Sequence, residues 1–310
     1  MSSQRIVAIS TSSFAKESAA PLERLRAEGF EIRANPHGRA MTTDEARVHL
    51  EGVAGLIAGT EKLTGELLRQ LPMLKVISRV GTGIDNVDLA VAKELGIVVR
   101  NTPDAHVDAV AELTLAGMLA LLRRVPQSDA SIRAGRFDKP MGRLLRGTTI
   151  GLVGFGKVAR ALARLLGPWD VTLLATDIER DENAARSLGV AWVELEGLLR
   201  RSDVVSIHVP YTKSAHHLIG TAQLAQMKPE AILVNTSRGG LVDEAALLAH
   251  LQQHTKAGAY LDTFEKEPYQ GPLAQLANVV LTSHIGSYAR EARVRMETEA
   301  VENLIGALYR

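Results

Sequence analysis

Short apolar runs alternate along this chain with amphipathic stretches that close on glycine or proline. Runs at 5–10, 30–34, 53–58, 74–80 and 97–101 have strand length and β-rich composition. Between them, 17–29, 42–52, 63–71 and 87–95 carry helical spacing. The first of these stops at Gly29, and the second opens on Thr and Asp capping candidates. A second series begins near Thr148, with strand candidates at 149–153, 171–176, 204–208, 231–235, 257–261 and 279–282. Repeated β-α units predict parallel sheets covered by helices on both faces.

Between the two series lies a long apolar helix candidate, 107–124, with Val110, Leu113, Leu115, Met118, Leu119 and Leu122. It follows Asn101, Thr102 and Pro103, read as a crossover, and stops before Pro126. The polar, basic segment 127–146 reads as an arm or interface element. The closing stretch, 289–309, carries a stripe of Val294, Val301, Leu304, Ile305 and Leu308. A terminal helix of this kind packs back onto the first domain and makes it discontinuous. The expected organisation is one domain of residues 1–101 and 288–310, and a second of residues 102–287.

Composition changes this picture little. The 310 residues are 46% hydrophobic and 23% charged, as in ordinary globular proteins. Lys+Arg 36 against Asp+Glu 35 leaves a net charge of +1, so nothing points to nucleic acid. Without cysteine there is no disulfide, thiolate catalysis or Cys-ligated metal, and no metal site is expected. The N-terminal apolar stretch is too short for a signal peptide, and no window is apolar enough to span a membrane. A cytoplasmic protein is the expectation.

Candidate chemistry begins at 149–159 (TIGLVGFGKVA), a strand, a glycine turn and a helix start. Gly154 suits the tight turn, and Gly156 lets the backbone approach a pyrophosphate. Ala159 allows close helix–strand packing. The helix N-terminus offers free N–H groups and a positive dipole end. The next strand ends at Asp177, near the spacing expected of a ribose-binding acid. A carboxylate there repels a 2′-phosphate and favours NAD over NADP, although Arg180 stands close by. By itself such a turn also suits a sheet that binds nothing, or S-adenosylmethionine.

Three later strand candidates lead to Arg238, to Glu267 and to His284. In open α/β sheets ligands sit beyond the carboxyl ends of the strands. Imidazole titrates near neutrality, so His284 suits an acid/base that takes a hydroxyl proton and returns it to a carbonyl. A carboxylate on its other nitrogen fixes the tautomer; Glu267 and Glu265 both lie within reach in sequence. Arg238 can grip a substrate carboxylate and polarise a neighbouring carbonyl. Together these select a 2-hydroxy or 2-keto acid. Singly, each also fits a structural or surface role. Arg79, Val80, Gly81, Thr82 and Gly83 follow a strand of the first series, where glycine-turn N–H groups can form an anion nest. His208, Val209 and Pro210 end a strand of the second series and are read as lining the cofactor.

Several linked motifs resemble the D-isomer-specific 2-hydroxyacid dehydrogenase family, and among its branches the D-3-phosphoglycerate dehydrogenases. They are 151–157 (GLVGFGK), 235–243 (NTSRGGLVD), 262–268 (DTFEKEP), 283–286 (SHIG), 79–88 (RVGTGIDNVD) and 111–114 (AELT). The resemblance covers essentially the whole chain. It implies a flavodoxin-like substrate domain, an inserted NAD-binding Rossmann domain and a cleft between them. It implies that Arg238, Glu267 and His284 are catalytic, which selects Glu267 over Glu265. It implies that Val80 and Gly81 are backbone contacts for the substrate carboxylate, and Arg79 beside them is a further substrate-binding candidate. Beside Gly154 and Gly156 of the glycine turn, its cofactor positions are Thr82, Lys157, Val158, Asp177, Val209, Thr236, Ser237, Asp262 and Gly286. It further implies a homodimer joined through the nucleotide domain.

Where many phosphoglycerate dehydrogenases carry an Arg-Ser pair, this chain has Ala58 and Gly59. Arg79, Arg136, Lys139 and Arg143 remain as sources of positive charge for a phosphate. The chain ends after its closing helix, so a C-terminal serine-sensing domain is not expected. The expected activity is hydride transfer between a D-2-hydroxy acid, 3-phosphoglycerate among the candidates, and NAD. Alternatives are a glyoxylate or hydroxypyruvate reductase, and an NAD(H)-sensing binding protein like the co-repressors that share the fold.

Overall fold

The computed structural model describes residues 5–309. The first four residues and the last, at the outer ends of the expected 1–101 and 288–310 segments, lie outside the described residues. The chain divides into two compact units, Met1–His106 with Ser287–Arg310, and Val107–Gly286.

The first unit runs β1 (Ile6–Ile9), α1 (Ala20–Ala27), β2 (Glu31–Ala34), α2 (Thr43–His49), β3 (Gly55–Ala58), α3 (Gly65–Arg69), β4 (Val76–Arg79), α4 (Leu89–Glu94) and β5 (Val98–Arg100). The strands are all parallel, in the order β2-β1-β3-β4-β5. This is the flavodoxin-like winding, whose direction reverses between β1 and β3. Side chains of Thr42, Thr64 and Asp88 cap α2, α3 and α4 by accepting first-turn N–H bonds. Each cap is worth about 1 kcal/mol, enough to set where these short helices begin.

The second unit runs α5 (Val107–Leu122), α6 (Val125–Arg133), β6 (Thr149–Val153), α7 (Lys157–Leu166), β7 (Thr172–Thr176), α8 (Glu182–Ser187), β8 (Val190–Trp192), α9 (Leu195–Arg201), β9 (Val204–Ile207), α10 (Thr221–Leu224), β10 (Ile232–Asn235), α11 (Glu244–Gln253), β11 (Gly258–Leu261) and β12 (Val279–Leu281). Its seven parallel strands lie in the order β12-β11-β10-β9-β6-β7-β8. The switch point falls between β6 and β9. The last helix, α12 (Arg290–Leu308), belongs to the first unit.

Period-two alternation explains the two faces of the first sheet. Ala8, Leu56 and Ile77 point to a core with Leu50, Leu67 and Val91. Their neighbours Val7, Ile57 and Val76 point to the opposite core, which α12 fills with Met296, Val301 and Leu304.

Three details differ from the sequence reading. β8 is an edge strand of three residues, too short to show as a run. The polar segment after α5 begins as helix α6. Arg124 reverses the chain there with φ 54°, and Pro126 opens the helix. The buried face of α12 includes Arg293 and Glu297, while Val294 is only half-buried. A buried ion pair between Arg293 and Glu297, at 2.8 Å, makes this possible. Arg293 also donates to Ser13, and Glu297 accepts the Ala15 N–H.

Candidate active site

β10, β11 and β12 are neighbours, with Asn235 paired to Leu261 and Leu261 to Leu281. Their carboxyl ends therefore bring three loops to one edge of the second unit. Beyond β10, Asn235 is fully buried. Its side-chain amide donates to the Arg238 carbonyl at 2.8 Å, and its oxygen accepts the Ser237 N–H at 3.1 Å. Ser237 Oγ donates to the Ile207 carbonyl. These bonds fold residues 235–238 into a fixed Asx-type turn and aim Arg238, which is half-buried and donates to the Ser237 carbonyl. The next residue, Gly239, lies so close to the Phe264 backbone that any Cβ would collide with it. The Arg238 loop thus packs directly on the loop that carries Glu267.

Beyond β11, the buried Asp262 organises the third loop. It accepts bonds from Thr282 Oγ1 at 2.5 Å and from the Ile285 and Gly286 N–H groups at 2.8 Å. These bonds hold His284 in the left-handed region, at φ 55°, a conformation uncommon outside glycine. His284 Nδ1 meets Glu267 Oε2 at 2.9 Å and Oε1 at 3.1 Å. Burial pushes the Glu267 carboxyl up, but the hydrogen bond and charge of His284, the Phe264 N–H and Arg238 outweigh it. The group sits below its ordinary pKa and stays ionised. Glu265 faces elsewhere: it accepts from His217 Nε2 at 2.9 Å and from the Glu244 N–H.

The glycine turn lies at the switch point. Gly154 has φ 91°, and a Cβ there would come within 2.8 Å of the His208 carbonyl carbon and of Val209. Gly156 is the N-cap of α7, and having no side chain it leaves the first turn without a side-chain cap of its own. Asp177 accepts the Phe155 N–H at 2.6 Å and the Glu179 N–H at 3.3 Å. Each of its oxygens keeps a second lone pair for a ribose hydroxyl. Arg180 is engaged by Glu194 at 2.5 Å and lies over Trp192, so its charge is offset where a 2′-phosphate would need it. Lys157 is the first residue of α7, and Val158 behind it is half-buried. His208 Nε2 pairs with Ser206 Oγ at 2.9 Å. Its Nδ1 is buried and, among the described residues, has no partner. Burial pushes its pKa down to about 4, so the ring is neutral at physiological pH. Pro210 is exposed. Thr236 Oγ1 bonds Thr114 Oγ1 at 2.9 Å.

In the first unit, the turn after β4 does not offer the open anion nest expected of its N–H groups. The Val80 N–H donates to the Ala58 carbonyl at 3.0 Å, extending the β3–β4 ladder. The Gly81 N–H donates to Thr102 Oγ1 at 2.8 Å. The Arg79 guanidinium folds back onto the Val80 carbonyl. Thr82, the cofactor candidate on this turn, contacts a ring nitrogen of His106 at 3.1 Å. Asp262, a cofactor candidate, spends three of its acceptor positions on holding the His284 turn. Asn235 and Thr282 were not singled out, although an Asn immediately after a strand and before Ser is a recognisable Asx-turn signal.

A doubly wound sheet with an uncapped glycine turn, a ribose-type acid and an Arg/Glu/His edge defines a dinucleotide-dependent oxidoreductase. The cradle at Gly154, the free lone pairs of Asp177 and the unpartnered His208 Nδ1 all fit a bound dinucleotide. The family model "D-isomer specific 2-hydroxyacid dehydrogenase, NAD binding domain" matches residues 115–286. A glyoxylate reductase of Thermococcus litoralis is 42% identical over 256 residues, covering 79% of this chain and 77% of that one. A D-3-phosphoglycerate dehydrogenase of Archaeoglobus fulgidus is 35% identical over 289 residues, covering 92% of this chain but 54% of that one. The crystal structure of the TT0316 protein from Thermus thermophilus superposes with TM-score 0.91 at 36% identity, over 99% of this chain and 97% of that one. The chain belongs to the D-isomer-specific 2-hydroxyacid dehydrogenase family: it is an NAD-dependent oxidoreductase acting on the CH–OH group of a hydroxy acid. No helix of the described residues is long and apolar enough to cross a membrane.

Proposed function

We propose that this enzyme interconverts a short D-2-hydroxy acid and its 2-keto acid, with His284 as acid/base, Glu267 as its partner and Arg238 as the substrate clamp. The observation that carries the reading is the 2.9 Å contact between His284 Nδ1 and an ionised Glu267. It commits Nδ1 and leaves Nε2 to face substrate. In oxidation Nε2 takes the hydroxyl proton, and Glu267 stabilises the imidazolium that forms. In reduction the same proton goes to the carbonyl oxygen. Arg238 holds the carboxylate and draws charge from the adjacent carbonyl. NAD, when bound, supplies the hydride acceptor or donor. Gly154, Gly156, Lys157 and Val158 form its phosphate turn, and Asp177 takes the ribose. His208, Val209, Pro210, Thr236, Ser237, Asp262 and Gly286 line it, with Thr82 contributing from the first unit. There, Arg79 and the Gly81 N–H contribute to substrate binding, Gly81 by exchanging Thr102 for the substrate. Val80 shapes the turn.

The test is NADH oxidation with glyoxylate and hydroxypyruvate, the latter a keto acid with a terminal hydroxyl. His284→Ala should lose about 10³-fold in kcat while titrating NADH normally. Retained turnover would remove His284 from the chemistry.

The reading extends to a homodimer. Phe137, Met141 and Leu144, in the segment after α6, are 77%, 90% and 67% exposed. Apolar side chains so bared in one segment suit burial against a second copy. Phe137→Ser with Met141→Ser should shift the mass seen in light scattering from dimer to monomer; a wild-type monomer would refute it. A cytosolic location is part of the same proposal, checked by cell fractionation.

A further inference from the structure

One buried phenol stands outside the chemistry of Arg238, Glu267 and His284. Tyr260, on β11, is 1% exposed and pairs with Val280 of β12. The next residue but one, Thr282, continues the ladder by donating its N–H to the Leu261 carbonyl at 3.0 Å. Side chains alternate along a strand, so Tyr260, Val280 and Thr282 share a face. The ring packs into the core that contains Ala111 and Met118 of α5. Room for it comes from Gly117 of α5, where any Cβ would overlap the ring. A glycine inside a helix is about 0.5–1 kcal/mol less favourable than alanine, so α5 gives up stability to hold this tyrosine.

The phenol oxygen meets Thr282 Oγ1 at 2.9 Å, and Thr282 Oγ1 meets Asp262 Oδ1 at 2.5 Å. The direction of these bonds follows from their protons. Asp262, as a carboxylate, only accepts, so the single Thr282 hydroxyl proton goes to it and the phenol donates to Thr282. Burial pushes the Tyr260 pKa up to about 12, so the phenol keeps its proton through the neutral range. On its other side Asp262 accepts the N–H groups of Ile285 and Gly286, the two residues after His284.

We propose that Tyr260 is a positioning residue: through the relay Tyr260–Thr282–Asp262 it fixes the turn that carries His284. This rests on the assignment of His284 as acid/base. A hydroxyl that accepts one hydrogen bond donates another more strongly. Tyr260 thereby strengthens the Thr282–Asp262 bond and keeps the Thr282 hydroxyl from turning away. Asp262 is then held in the orientation in which both of its oxygens serve the His284 turn. Proton transfer requires the imidazole within hydrogen-bond reach of the reacting oxygen, so a loosened turn costs rate more than affinity.

The experiment follows NADH oxidation with glyoxylate and hydroxypyruvate, with kcat expressed per NADH site titrated by fluorescence. It compares wild type, Tyr260→Phe, Thr282→Val, the double variant and Thr282→Ser. Tyr260→Phe keeps the ring at Gly117 and leaves Thr282 free to donate to Asp262, so the fold is retained. Its kcat per site should fall about five- to tenfold, with the keto-acid KM within about twofold. Thr282→Val should lose about 30-fold, and the double variant no more than that, because the phenol acts only through Thr282. Thr282→Ser keeps the hydroxyl and should stay within about threefold of wild type. A merely structural Tyr260 would lower the thermal midpoint and the number of sites but leave kcat per site unchanged, which would overturn the proposal. Additive losses in the double variant, or equal losses in Thr282→Ser and Thr282→Val, would overturn it too. Turnover absent in wild type, or retained in His284→Ala, would sink the acid/base reading and this proposal with it. Turnover lost in His284→Ala but kept per site in Tyr260→Phe sinks this proposal alone.

Discussion

The two sheets of this protein share a winding and differ at their carboxyl edges. Both are parallel, both reverse direction at one switch point, and both end several strands in polar loops. In the first sheet those polar groups answer one another. Val80 is tied to Ala58, Gly81 to Thr102 and Glu61 to Ser10. In the second sheet the bonds are spent on the turns that carry the proposed catalytic residues. Asn235 and Asp262 are consumed in shaping turns, so that Arg238 and His284 are held without being sealed. One topology therefore yields a closed edge or a reactive one, depending on whether buried amide and carboxylate groups bond to the functional residues or merely position them.

The comparison breaks most visibly at Glu267. Glu267→Gln keeps the size of the side chain but removes the charge that stabilises an imidazolium. It should lower kcat about 10²-fold with NADH affinity unchanged. Glu265→Gln, whose side chain accepts from His217 and from the Glu244 N–H instead, should leave kcat within about threefold. Equal losses in the two variants would mean that the edge works as a diffuse negative field rather than as a specific pair. Steady-state kinetics and NADH fluorescence titration distinguish these outcomes.

Much of this was legible from residue pattern. Both β-α series, and nearly every strand within a residue or two, follow from short apolar runs punctuated by glycine. Gly154, Asp177, Arg238 and His284 stand out by their chemistry at strand ends, whereas only the family resemblance tells Glu267 from Glu265. What escaped was short or reciprocal. β8 has three residues and no period to detect. Arg293 and Glu297 are charged residues that reach the α12 core only as a pair, and spacing statistics score each as exposed. Thr102 and Ser10 are ordinary hydroxyl residues whose partners lie far along the chain, so only the fold reveals which N–H or carboxylate they satisfy.

The smallest expected effect probes the closed edge at its key bond. Thr102 is fully buried, and its Oγ1 is the acceptor for the Gly81 N–H. Thr102→Val preserves shape but leaves that donor unsatisfied, which should cost about 1–2 kcal/mol in urea unfolding. If the Gly81 N–H also serves substrate, removing its internal rival should lower the keto-acid KM a few-fold while kcat holds. A stability loss with unchanged KM would show that this turn is purely structural, and would assign carboxylate recognition to Arg238 and Arg79 alone. A lowered KM would show that the first edge is closed only until substrate arrives, which would turn the contrast between the two sheets from one of kind into one of timing.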